Sequence, residues 1–120
     1  MIKVYRVQDS DGRGPFKPGV TEKWLRENQP DELEPFPVPK ILSAMAGARF
    51  RHIGCGCTAL SQLRIWFTHG EYAMLLNLGY RAVEMWADEI LLSDENQVLF
   101  SRKKTFKTAT NYLKLYEDLT

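Results

Sequence analysis

Apolar and polar positions alternate from the first residues. Ile2, Val4 and Arg6 fall on one face of an extended segment, and Lys3, Tyr5 and Val7 on the other. That period of two predicts a strand over residues 2–7. The stretch Asp9-Ser10-Asp11-Gly12-Arg13-Gly14-Pro15 is dense in turn formers and predicts a loop. Thr21 would cap a short helix through residue 28, carrying Trp24 and Leu25. Pro30, Pro35, Pro37 and Pro39 then predict a proline-rich surface loop over residues 30–40, since each lacks an N–H donor and fixes φ. A short helix over 41–46 would end at Gly47. Residues 49–57 look extended, with Gly54 and Gly56 letting another backbone come close.

The pattern then switches to helical spacing. Leu60, Leu63, Trp66 and Phe67 form one apolar stripe behind Thr58, which would cap that helix, and His69-Gly70 would end it. A second helix over 71–78 stops at Gly79. Strands are expected over 80–87, 89–92 and 97–100, with Ser93-Asp94-Glu95-Asn96 as a turn. Tyr112, Leu115, Tyr116 and Leu119 give residues 106–120 the spacing of a C-terminal helix. This order predicts an α+β fold: a single domain with a small mixed or antiparallel sheet and three to four short helices.

Composition narrows the class. A chain of 120 residues with 44% apolar and 26% charged residues suits one globular core. Sixteen Lys plus Arg against fifteen Asp plus Glu leave a net charge of +1, which argues against a general nucleic-acid binder. No apolar run is long enough to span a bilayer and no export signal opens the chain, so the expected compartment is the cytoplasm. Cys55 and Cys57, one residue apart, read as buried or half-buried free thiols; with His52 and His69 the only histidines, no metal site is expected.

The chain lacks phosphate-loop, dinucleotide, zinc-protease and nucleophile-elbow signatures. Three groups of residues remain as candidates. Arg6 shares a face with Ile2 and Val4, so it either snorkels to solvent or points into a cleft, where a guanidinium would grip phosphate or carboxylate. Glu95 and Gln97 stand one residue apart before the apolar run Val98-Leu99-Phe100, either as plain turn residues or as a hydrogen-bonding pair. Arg102, Lys103, Lys104 and Lys107 are the strongest local charge asymmetry. They would form a solvated edge or meet an acidic partner.

Two resemblances follow from these residues. Val4-Tyr5-Arg6-Val7 resembles the first strand of ADP-ribosyltransferases of the Arg–Ser–Glu clade, and residues 95–102 are similar to that clade's Q-x-E-V-L-L-P-R. Gly56-Cys57-Thr58-Ala59 stands where its S-T-S strand end is expected. The resemblance implies an ADP-ribosyltransferase-like fold in which Arg6 and Thr58 hold NAD while Glu95 and Gln97 serve the reacting centre. Gln97 occupies the place of the clade's catalytic glutamate and Glu95 that of its partner, so it implies either an atypical enzyme or a fold that has lost the reaction. Second, Tyr5-Arg6-Val7, Gly12-Arg13-Gly14-Pro15 and Gln62-Leu63-Arg64-Ile65-Trp66-Phe67 together resemble small phage and prophage proteins. That likeness implies an accessory protein that binds and inhibits a host macromolecule, such as a defence complex, in the bacterial cytoplasm. The alternative is NAD-dependent mono-ADP-ribosylation of a host protein.

Overall fold

The expected first strand forms as β1 (Ile2–Gln8), with Val4, Arg6, Val7 and Gln8 all buried. The structure, a computed structural model, describes residues 1–15, 36–108 and 110–120. The expected helix between Thr21 and residue 28 lies outside the described residues, as do Pro30 and Pro35. Strand β1 runs antiparallel to β3 (Arg81–Ala87), from Ile2 opposite Ala87 to Gln8 opposite Arg81. The two-residue strand β6 (Asn111–Tyr112) pairs with the far edge of β3. A second antiparallel sheet places β5 (Val98–Arg102) between β2 (His52–Gly56) and β4 (Glu89–Ser93). The helices are α1 (Val38–Ala46), α2 (Leu60–Trp66) and α3 (His69–Asn77). Two small antiparallel sheets and three helices among the described residues make the class α+β.

The first sheet carries packed residues on both faces. Val4, Val83 and Met85 share a cluster with Val98 and Phe100 of the second sheet. Val7 and Ala82, on the opposite face, pack with Leu63, Trp66 and Phe67 of the α2 segment and with Tyr72 and Leu75 of α3. The sheets also touch directly: Tyr5 and Cys57 exchange backbone hydrogen bonds of 2.7 and 2.8 Å. Gly56 makes that approach possible, since a β-carbon there would lie 2.8 Å from the Tyr5 carbonyl oxygen.

Several local expectations change. Residues 38–40 of the expected proline-rich loop belong to α1, with Pro39 in its first turn, where the missing N–H has no helical partner to lose. The described residues of 106–120 contain no helix. Tyr112 pairs with Val83, and the N–H of Leu113 donates to Ala82. That satisfies the tail through β3 rather than through its own turns, and Leu115 is buried from an irregular segment. Thr58 is not a helix cap: Ala59 holds that position in α2. His69-Gly70 start α3 instead of ending α2, because the Glu71 carboxylate accepts from the N–H and hydroxyl of Thr68 and anchors a new first turn. Helix α3 stops before Gly79, whose φ is +90°.

Candidate functional site

A cavity of about 220 Å³ opens beside the C-terminal half of β1. Arg6 and Val7 form one wall, Cys55, Gly56 and Cys57 the next, and Leu63, Trp66 and Phe67 the third, with Pro15 and Gln97 at the margins. Arg6 is only 7% exposed. Pleating puts it on the face of Val4 and Gln8, and the second sheet covers that face. The Phe106 ring lies 4.5 Å from the guanidinium carbon. Room for the group exists because residue 54 is glycine; a β-carbon there would collide with Nη1. Burial pushes the Arg6 pKa down to about 10, with the like charge of Arg102 acting the same way and Cys55 and Asp9 opposing. The group remains a cation at neutral pH.

Gln97 enters the cavity because its turn is pinned from three sides. The Asp94 carboxylate accepts from the N–H groups of Asn96 and Gln97, Trp66 Nε1 donates to the Asn96 carbonyl at 2.8 Å, and Gln62 Nε2 donates to the Glu95 carbonyl at 2.9 Å. Burial raises the pKa of Cys55, which Arg6 opposes, and lifts that of Cys57 to about 12 with Cys55 and Asp94 adding to it. Both thiols are therefore protonated at neutral pH. No carboxylate lines the cavity among its described walls. The site thus offers a cation, an amide, two neutral thiols and aromatic and aliphatic surface, a set suited to holding a ligand.

The other expected residues separate. Thr58 is exposed, with its hydroxyl 3.4 Å from Gln62 Oε1, and the Glu95 side chain is exposed as well. Glu95 and Gln97 do not project together, because they sit in a turn where strand alternation does not apply. The basic run also divides. Arg102 is 2% exposed, and its Nη2 donates to the Thr108 carbonyl at 2.8 Å, so it leaves the surface set. Lys103 and Lys104 are exposed, and Lys107 pairs with Asp11 at 3.3 Å.

Lys103 belongs to a surface that the one-dimensional pattern concealed. Its Nζ and the guanidinium of Arg49 lie 5.4 and 5.6 Å from the Phe50 ring. Arg49 pairs with Glu89 of β4, the strand on which α1 rests. Helix α1 has no buried residue, and Val38, Leu42 and Met45 are 66%, 61% and 41% exposed at i, i+4 and i+7. That spacing was the available signal, and Pro39 inside it masked the helix. The acidic groups nearby are engaged: Asp88 accepts from the Lys103 N–H, and Glu89 from the Ser101 hydroxyl and the Arg49 N–H. Among the described residues no cluster of His, Cys, Asp and Glu could hold a metal ion, and no helix is long and apolar enough to cross a membrane.

The family model described as bacteriophage T4 Y00F protein matches residues 1–114 of this chain. Comparison with curated proteins and with solved structures gave no match.

Proposed function

This chain belongs to the bacteriophage T4 Y00F protein family, and from that premise we propose that it is an accessory protein that binds and inhibits a host macromolecule in the cytoplasm of the infected bacterium. The observation that carries this reading is the exposed apolar face of α1, Val38–Leu42–Met45, joined through β4 to the cationic Arg49–Phe50–Lys103 cluster. An apolar strip beside a basic margin, with the nearby carboxylates occupied, is complementary to an apolar groove edged by acidic residues. The partner is accordingly a host protein with an acidic-rimmed groove. A near-neutral net charge argues against nucleic acid.

Capture from a host lysate tests this when variants are run side by side. A species held by the wild type should be lost from Lys103→Glu/Lys104→Glu and from Leu42→Asp, and kept by Lys114→Glu, an exposed lysine outside the surface. Each variant changes solvent-facing positions, so circular dichroism should show all of them folded. Losses of at least tenfold are expected, since reversing two rim charges and burying a carboxylate in the apolar strip each oppose docking. Equal capture by all four proteins would remove this surface from consideration.

A second reading, NAD-dependent ADP-ribosyl transfer to a host protein, draws support from Arg6 and Gln97 meeting in one cavity. Thr58 and Glu95 lie outside that cavity's walls, and 220 Å³ is below the roughly 300–1,000 Å³ of pockets that enclose drug-sized ligands. The cavity would therefore take one end of a dinucleotide. Calorimetric titration of NAD separates the two readings: saturable heat that disappears in Arg6→Ala favours the nucleotide, and no heat at millimolar NAD eliminates it.

A further inference from the structure

Arg6 is a buried cation with little to hold it. Among the described residues, Nε and Nη1 have no hydrogen-bond partner, and Nη2 reaches the Gly12 carbonyl oxygen at 3.5 Å, at the outer limit of a hydrogen bond. Among the described residues no ion pair includes Arg6. Asp9 attracts it from a distance, but Asp9 Oδ1 already accepts from the N–H groups of Asp11 and Arg13. Arg102 repels it, and Nη1 of Arg102 is likewise buried without a partner. Two desolvated guanidiniums near each other, neither in an ion pair among the described residues, are an unfavourable arrangement.

The surroundings nevertheless hold the Arg6 head in one place. Phe106 covers one side, the missing side chain at Gly54 leaves space for Nη1, and a β-carbon at Gly14 would lie 3.1 Å from Nη2. The same residue lines a cavity whose other walls include Trp66, Phe67 and Pro15. For a desolvated, positioned guanidinium at the edge of an apolar cavity, an anionic acceptor is the matching ligand.

We propose that this cavity is a binding site for a small oxyanion, a phosphate or carboxylate group, with Arg6 as its charged ligand and Arg102 raising the local positive potential. The apolar walls take the organic part of the molecule that carries the anion. The site is separate from the α1 surface and needs no nucleotide, so its failure and the failure of either reading above are distinguishable.

Thermal unfolding at pH 7.5 and constant ionic strength tests the proposal, with chloride replaced in turn by inorganic phosphate and by acetate. In the wild type, the preferred anion should raise Tm by roughly 10 °C at a hundredfold excess over its Kd. Arg6→Met removes the cation, keeps a flexible apolar stem, and should abolish the response. If Arg6→Met fails to fold, alkylation of wild-type Cys55, which lines the cavity beside Arg6, supplies the second measurement. Its rate with iodoacetamide should fall at least fivefold with the bound anion and stay unchanged in chloride of equal ionic strength. A response to phosphate alone identifies a phosphoryl ligand, and one to acetate identifies a carboxylate. No response to either, or an equal response in Arg6→Met, overturns the proposal.

Discussion

Arg6 and Cys57 show what a single position gains from its neighbours. Both stand in extended segments readable from alternation, but their electrostatics come from contacts made by other parts of the chain. Arg6 has its pKa lowered to about 10, so its burial penalty is fully present below pH 10 and fades as pH climbs above it. Cys57 behaves oppositely. Its pKa is raised from 9.0 to about 12, so its contribution to stability is complete below pH 9 and is lost as pH rises through 12. The stability difference between wild type and Cys57→Ala should therefore shift against the wild type by about 2–3 kcal/mol between pH 8 and pH 11, at 1.36 kcal/mol per unit. Denaturant melts at the two pH values measure this. A constant difference would mean that Cys57 is better hydrated than its burial implies. The expectation of buried or half-buried thiols was readable from the sequence, because small sulfur side chains in a strand are usually packed.

At the level of elements, local patterns identified most strands and helices and misjudged their ends. Of the stripe Leu60, Leu63, Trp66 and Phe67, the last three are buried and Leu60 is half-buried, and the turn before β5 forms on Asp94. The expected approach of a second backbone at Gly56 is realised against Tyr5. Gly56→Ala should separate β1 from the end of β2 and break both Tyr5–Cys57 hydrogen bonds, costing about 2 kcal/mol or more in a urea melt. Gly54→Ala should cost less, because the added β-carbon would meet side-chain atoms, Nη1 of Arg6 and the Phe106 ring, rather than a backbone carbonyl fixed in a sheet bridge. Equal losses would show that the sheets are held by packing rather than by that bridge. The tail escaped the pattern for a physical reason. Tyr112, Leu115, Tyr116 and Leu119 have helical spacing, yet Arg64 Nε donates to the Leu115 carbonyl and the Tyr116 hydroxyl donates to that of Phe67. Those long-range partners replace the helical ladder.

Across the whole molecule, the capture experiment is a test of contiguity. Val38, Phe50 and Lys103 are distant in sequence: the pairing of β2 with β5 brings Lys103 to Phe50, and β4, on the other edge of β5, carries α1. The sequence alone determined the α+β class, the strand character of residues 2–7 and of the run 97–100, the apolar stripe of α2 and the likeness to phage proteins. Each depends on short-range periodicity or on residue order. Tertiary structure decided which polar residues are inside. Arg102 is buried because β5 is the central strand, with neighbours on both edges and all five residues covered, and Gln97 is drawn into the cavity by Trp66 and Asp94. It also parted Thr58 and Glu95 from Arg6, and left Val38, Leu42 and Met45 of α1 exposed. Alternation fixes which face a side chain takes, but what covers that face depends on packing between segments tens of residues apart, which no local pattern encodes.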